Sequence, residues 1–259
     1  MAVKKRKRKK ILQIRRKNSR VTKIMGLVAL IAVTLFILML TPIFDAKHLI
    51  IQTPDGGKPQ YVTAGEVKQA IDYNRKDNIF KINARKGRKN LEQIPYVKKA
   101  EIKRKLPNKV QVTITERKPV AYVKFGNAAI LLDKEGRLLE QVGKRPKKLA
   151  VVTGISVKTL QVGDSLKDRN VSKANAYTAL YQKMEEYNLA EQVTEIDIKD
   201  PNQIKCILGG NKEVHFGDGY QLDYKMRMLQ VAVEKLGASE SGVITLTVEG
   251  KAIFTPNES

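Results

Sequence analysis

The sequence is poor in cysteine and lacks tryptophan. Of its 259 residues one is cysteine, Cys206. A single cysteine excludes a disulfide within the chain, so any exported part must be stable through its hydrophobic core alone. Cys206 lies in an apolar run without an adjacent base, and we therefore expect a buried thiol rather than a nucleophile.

Residues for metal binding and catalysis are also scarce. The two histidines, His48 and His215, fall in predicted strands and have no cysteine or carboxylate at metal-ligand spacing. The glycines of HFGDGY lack the GxGxxG pattern and the preceding strand–helix context of a phosphate-binding loop. The sequence therefore predicts no catalytic residue, no metal and no cofactor, and a protein that is not an enzyme.

Acidic residues are absent from the first 23 positions, which hold twelve of the 49 basic residues. The remaining 37 basic and 26 acidic groups leave residues 24–259 with a balance of +11, so about half of the net charge of +23 belongs to this tail. A basic tail could bind nucleic acid. Its basic residues are Lys4, Lys5, Arg6, Lys7, Arg8, Lys9, Lys10, Arg15, Arg16, Lys17, Arg20 and Lys23.

Charge of either sign is absent from residues 24–44, which read IMGLVALIAVTLFILMLTPIF. As a helix, 21 residues would cross the roughly 30 Å hydrocarbon core of a bilayer. The alternatives are a buried core helix, which would show a polar face, and a cleaved signal peptide. A signal peptide would have a shorter apolar region followed by a small-x-small cleavage site, and TPIFDAKHL does not provide one. We therefore predict an uncleaved transmembrane helix.

The basic tail (1–23) also sets the predicted orientation of the span. The fifteen residues after the span (45–59) contain only Lys47 and Lys58 as basic residues. By the positive-inside rule the amino terminus is cytoplasmic and about 215 residues lie outside. Attraction to anionic membrane lipid, at about 1 kcal/mol per charge, then accounts for the tail, and no nucleic-acid partner is expected.

Residues 45–118 are predicted to form a compact α+β unit. KHLIIQ is typical of a short strand, and Thr63 with Glu66 three residues later is a capping-box signature that opens a first helix. RKNLEQIPYV predicts a second helix that ends at Pro95. Two strands with alternating apolar residues follow, so the predicted order is strand, helix, helix, strand, strand.

Residues 119–254 are predicted to form a mixed antiparallel β domain with two helices, followed by a tail at 255–259. Short strands are indicated by VAYVKF, AAILLD and RLLEQV, and three consecutive antiparallel strands by VTEIDIK, QIKCILG and EVHFG. One helix is predicted over 172–188 with Ser172 as its cap, and a second ends at Gly237. The final GVITLTVEGKAIF predicts a hairpin.

The stretch from NIFKIN through LEQIPYVKKAEIKRKLPNKVQVTITERKPVA resembles the FtsQ/DivIB family of bacterial cell-division proteins. The resemblance implies a POTRA domain (polypeptide-transport-associated) followed by a β domain. It also implies FtsB/DivIC-like and FtsL-like single-pass partners, indirect regulation of septal peptidoglycan synthases, and a location at the division septum. The matching residues are Leu91, Pro95, Tyr96, Val97, Ala100, Arg104, Pro107, Asn108, Glu116, Arg117, Pro119 and Ala121.

The sequence ERKP, which holds Glu116, Arg117 and Pro119, is the predicted joint between the two domains. Proline cannot donate to a strand ladder and fixes its own φ, so Pro119 would end one sheet and restrain the joint. A fixed ion pair between Glu116 and Arg117 across the joint is a further hypothesis.

The terminal segment 243–254 is the predicted partner-binding site. A strand that closes the chain tends to lie at a sheet edge, where its free main-chain groups can pair with a strand of a partner. Two alternatives stay open: a POTRA-bearing protein of polypeptide transport, and a membrane-anchored protein that binds anionic wall polymers through its positive charge. The candidate edge residues are Val243, Thr245, Leu246, Thr247, Val248 and Ile253.

Overall fold

The computed structural model describes residues 2–156, 161–237, 239–247 and 251–257, with side chains described from Val21 onward. Contacts divide the chain into two compact units. The domain limits predicted at 118 and 119 stay a prediction. Unit 1 comprises Met1–Lys58, Ala64–Arg88 and Glu101–Thr113, and unit 2 comprises Pro59–Thr63, Lys89–Ala100 and Ile114–Ser259.

The first helix, α1, runs over Ala2–Met39 and includes the basic tail. Its segment Val21–Met39 is long and apolar enough to cross a membrane, and none of that segment is buried within the protein. The apolar helix thus ends earlier than the predicted limit at Phe44. The reason is Pro42, because a residue before proline is driven out of the helical region, and Thr41 is extended with ψ 154°.

The predicted strand–helix–helix–strand–strand order is confirmed. These elements are His48–Gln52 (β1), Ala64–Ala70 (α2), Ala84–Gln93 (α3), Val97–Lys105 (β2) and Lys109–Glu116 (β3). They form a three-stranded sheet in the order β1-β3-β2, in which β1 runs parallel to β3. The alternation of β3 is the predicted one, since Val110, Val112 and Ile114 are all fully buried.

Nine short strands build the second sheet. They are Ala121–Phe125 (β4), Ala128–Leu132 (β5), Leu138–Val142 (β6), Ala150–Thr153 (β7), Val193–Asp197 (β8), Ile204–Leu208 (β9), Lys212–Gly217 (β10), Gly242–Leu246 (β11) and Ala252–Pro256 (β12). Their order is β12-β11-β10-β9-β8-β7-β4-β5-β6. The sheet is mixed, because β4 pairs with β7, β7 with β8 and β10 with β11 in parallel, whereas the remaining pairs are antiparallel.

Two helices supply the apolar side chains that pack with this sheet into one core. Helix α4 spans Val171–Glu186 and α5 spans Leu222–Lys235. The cap of α4 is Asn170, whose side chain accepts a hydrogen bond from the N–H of Lys173, and not the predicted Ser172. Each helix buries one apolar stripe, with Tyr177, Leu180, Tyr181 and Met184 buried on α4 and Leu222, Met226 and Leu229 buried on α5.

Cys206 occupies a core position of β9, as predicted. Its side chain is buried, and burial raises the pKa of the thiol well above its usual range. A thiol held neutral in an apolar core is a poor nucleophile.

Candidate functional site

Strand β12 forms one edge of the nine-stranded sheet. Among the described residues it pairs only with β11, and β11 lies between β10 and β12. This corrects the predicted edge position of Val243, Thr245 and Leu246, which belong to the second strand, while Ile253 does lie on the edge strand. The physical reason is the crossover through α5, which inserts β11 parallel to β10 and leaves the hairpin partner outside it.

The hydrogen bonds of the hairpin show which main-chain groups of β12 face outward. The N–H of Thr247 donates to the carbonyl of Lys251, and the N–H of Asn257 donates to the carbonyl of Ser241. Alternate residues of an antiparallel strand point their main-chain N–H and C=O groups to opposite sides. These groups therefore face β11 at residues 251, 253, 255 and 257. The N–H and C=O groups of Ala252 and Phe254 therefore face away from the sheet.

The edge strand is attached to the core through an aromatic side chain and a glycine. Phe254 packs partly buried against the main core. A methyl group added at Gly242 would come within 2.4 Å of the Thr255 carbonyl oxygen and 2.8 Å of the Phe254 ring. Residue 242 must therefore be glycine for β12 to lie at this distance from β11.

The predicted site residues occupy different environments. Val243 and Thr245 are half-buried on β11, whereas Leu246 is buried in the core. Thr247 uses its N–H within the hairpin, so it is not a free donor toward a partner. Ile253 is exposed on β12, with 51% of its surface accessible. Val248 lies outside the described residues.

A second cluster surrounds Arg117, directly after β3. Its Nη1 donates to Oδ2 of Asp133 and, at 2.7 Å, to Oε2 of Glu135, both in the turn between β5 and β6. The side chains of Arg117 and Asp133 are 15% and 4% exposed, so this ion pair is largely shielded from water. Lys98 donates to the other carboxylate oxygen of Glu135. The hydrogen bond from Lys98 has the larger effect and that from Arg117 the next, and both lower the pKa of the Glu135 carboxyl group.

Glu116 uses its carboxylate in a different way. Its two oxygens accept hydrogen bonds from three successive main-chain N–H groups, those of Gln60, Tyr61 and Val62, at 2.7, 2.7 and 2.9 Å. A carboxylate with three such donors fixes the path of the segment before α2. The ring of Tyr61 stacks on that of Tyr96, with centroids 4.8 Å apart.

The expected ion pair between Glu116 and Arg117 is therefore wrong. Among the described residues, the two neighbouring side chains bind different partners, as the strand alternation would point them to opposite sides. Pro119 lies in the segment between β3 and β4, next to Val120, whose N–H donates to the carbonyl of Leu132. Its role at a domain joint stays a prediction.

Comparison with known proteins identifies the family. The family model for the FtsQ-type POTRA domain matches residues 56–117, and the model for the carboxy-terminal domain of FtsQ/DivIB cell-division proteins matches residues 121–248. Together the two models match well over half of the chain. The chain belongs to the FtsQ/DivIB family.

Two clostridial relatives of the FtsQ/DivIB family match along most of their length. The cell division protein DivIB of Clostridium tetani is 24% identical over 230 residues, which is 87% of this chain and 84% of that protein. DivIB of Clostridium botulinum strain Hall is 25% identical over 251 residues, 94% of each chain. The solved extracytoplasmic domain of DivIB from Geobacillus stearothermophilus is 18% identical, covers 48% of this chain and 99% of that domain, and has a TM-score of 0.32.

Several residues of the FtsQ/DivIB chain that build these two sites are missed by sequence reasoning. Asp133 and Glu135 occur in an ordinary turn sequence, DKEG, and nothing in that pattern indicates that their carboxylates accept hydrogen bonds from Arg117. Gly242 carries a weak signal, because a glycine at the start of a strand can mark a close approach of another backbone.

The described residues include no group of three potential metal ligands. His215 bonds to Glu213 on the half-buried side of β10, at 2.7 Å. What the edge strand β12 offers is a set of main-chain donors and acceptors that can pair with another strand.

Proposed function

We propose that this chain is a non-enzymatic, single-pass scaffold of the bacterial division machinery. Its amino terminus is cytoplasmic, units 1 and 2 are otherwise extracytoplasmic, and the protein concentrates at the division septum. It binds FtsB/DivIC-like and FtsL-like partners and thereby assembles and regulates the septal peptidoglycan synthases. Membership of a cell-division family and one apolar amino-terminal helix support this proposal.

The observation that carries the proposal is the free edge of β12. Proteins commonly protect exposed edges with charge or proline. The residues of β12, AIFTP, include no charged side chain, and their one proline, Pro256, is the last residue of the strand. Ala252 and Phe254 direct their N–H and C=O groups outward, and Phe254 keeps the strand attached to the core. A partner strand would therefore find a preformed template at this edge and would add to the sheet by main-chain hydrogen bonds.

The substitution Ala252→Pro tests this directly. It removes an outward N–H and places a ring where the partner strand would lie, but it breaks no bond between β11 and β12. We expect loss of binding to the extracytoplasmic peptide of the FtsB/DivIC-like partner, measured by calorimetry with the full chain in nanodiscs. Circular dichroism should show an unchanged fold.

The matched control is Ala252→Ser, which keeps the N–H and should bind normally. Ile253→Pro is a second control, because its N–H faces β11 and its loss should disrupt the hairpin itself. If Ala252→Pro binds like the native chain, the partner does not add a strand at β12. Binding that survives this change but falls steeply with salt would favour the wall-polymer alternative.

A further inference from the structure

The outer end of the membrane helix is joined to a loop of unit 1 by side-chain and main-chain hydrogen bonds. We call residues 74–81 the 74–81 loop. Its Asn78 donates from Nδ2 to the carbonyl of Met39, the last residue of α1, at 2.6 Å. Ile79 donates its N–H to the carbonyl of Phe44 at 2.7 Å, and Ala46 donates to the carbonyl of Asp77 at 2.8 Å.

These bonds determine where the loop lies relative to a bilayer. The segment Val21–Met39 has 19 residues, which as a helix is about 28 Å long and matches the hydrocarbon thickness. Met39 is therefore at the boundary between acyl chains and headgroups. Because Asn78 contacts the Met39 carbonyl directly, the 74–81 loop lies within the headgroup region of the outer leaflet.

The loop is also fixed from inside unit 1. Arg104 on β2 donates from Nε to the carbonyl of Ile79 at 3.1 Å and from Nη2 to the carbonyl of Ile82 at 2.7 Å. The side chains of Ile79 and Ile82 are buried. Asn78 Oδ1 further accepts the N–H of Phe80 at 3.0 Å. The loop is thus held in one conformation and cannot turn away from the membrane without breaking these bonds.

The exposed side chains at this position have the composition of a membrane interface. Phe80 is 36% exposed and packs on Phe44 with ring centroids 5.6 Å apart, and Ile43 is 55% exposed. The exposed polar side chains of the loop include three cations, Arg75, Lys76 and Lys81. Apolar side chains of interfacial segments, phenylalanine among them, bury into the headgroup–acyl boundary. Basic groups near this boundary attract anionic lipid at about 1 kcal/mol each.

We propose that the 74–81 loop binds the outer-leaflet surface, with Phe80 inserted at the headgroup–acyl boundary and the three cations on lipid phosphates. Unit 1 is then seated on the bilayer at a fixed height instead of being tethered by a flexible linker. The inference rests on α1 spanning the membrane and is independent of partner binding at β12.

The absence of native tryptophan gives a clean test. Phe80→Trp is a single reporter in the loop, and Ile43→Trp is a second one should the first variant fold poorly. Lys58→Trp, beyond the far end of β1, is the control. The full chain is reconstituted in phosphatidylethanolamine–phosphatidylglycerol vesicles that carry spin-labelled lipids, with the quencher either near the headgroup or deep in the acyl chain.

We expect the loop reporters to emit at shorter wavelength than Trp at position 58 and to be quenched most strongly by the shallow quencher. Adding Lys76→Glu and Lys81→Glu should reduce this quenching in anionic vesicles. Loop reporters with emission and lipid quenching equal to those at position 58 would overturn the proposal. Shallow quenching that is unaffected by both charge reversals would overturn the role of the cations on lipid phosphates.

Discussion

At the scale of single residues, the consecutive side chains of Glu116 and Arg117 at the end of β3 bind separate parts of unit 2. Glu116 fixes residues 60–62, and Arg117 fixes the β5–β6 turn. Burial decides how much the ion pair of Arg117 contributes, because a shielded ion pair that loses one partner leaves an uncompensated charge, whereas an exposed pair contributes little.

Arg117→Met should therefore be strongly destabilising. The substitution leaves the buried carboxylate of Asp133 without its cation, and we expect a loss of about 3 kcal/mol in the free energy of unfolding. The control is Lys134→Ala, in the same turn, which removes an exposed ion pair between Lys134 and Glu185 of α4. It should lower the free energy of unfolding by about 0.5 kcal/mol or less. Urea unfolding of the detergent-solubilised chain measures both. Equal effects would mean that Arg117 is not shielded.

Glu135 makes stability depend on acid pH. Lys98, and then Arg117, lower its pKa below the ordinary value of 4.5 in the folded protein. A depressed folded pKa contributes stability that is present above the unfolded value and is lost as the pH falls through the folded value. The melting temperature of native protein should thus exceed that of Glu135→Gln near neutral pH, and the difference should shrink below about pH 4.5. A difference that grows on acidification would contradict this assignment.

At the scale of elements, the position of β12 depends on one backbone approach. Gly242→Ala places a methyl group against Thr255 and Phe254. We expect the edge strand to shift outward, at a cost of about 1–3 kcal/mol, and the amides of Ile253 and Thr255 to lose hydrogen-exchange protection. Gly143→Ala, where a methyl group meets no atom within 4 Å, is the matched control and should leave that protection unchanged.

The elements themselves are largely predictable from local pattern, and their arrangement is not. Alternation at Val110, Val112 and Ile114 defines β3, and the apolar stripe of α5 is equally clear, because both follow from periodicity. The order of strands depends on pairing between distant segments, so nothing local indicates that β11 is enclosed by β10 and β12. For the same reason the three main-chain donors to Glu116, more than fifty residues away, leave no sequence signal.

At the scale of the whole molecule, the proposed scaffold joins a membrane anchor to an extracytoplasmic binding surface. The apolar run and the charge asymmetry around it are readable without a structure. The end of the apolar helix is harder to predict from the sequence. The helix stops before the extended Thr41 and Pro42, whereas the apolar sequence continues beyond them.

The topology predicts that protease added to intact protoplasts digests the chain beyond residue 45 and spares the basic tail. Leu35→Arg, in the span, should impair insertion, since a central arginine costs about 2.5–3.5 kcal/mol on insertion scales. The measurement is the fraction of chain in the membrane together with its protease accessibility. An extracytoplasmic reporter fused after Ser259 that stays inactive would contradict the orientation.

Amide hydrogen exchange of the full chain in nanodiscs tests most directly whether a partner adds a strand to β12. The exchange rates are compared with and without the extracytoplasmic peptide of the FtsB/DivIC-like partner. Strand addition at β12 should strongly protect the outward amides of Ala252 and Phe254 on binding, while the amides of Ile253 and Thr255, already bonded to β11, should change little. Saturating binding that leaves the exchange of Ala252 and Phe254 unchanged would contradict it.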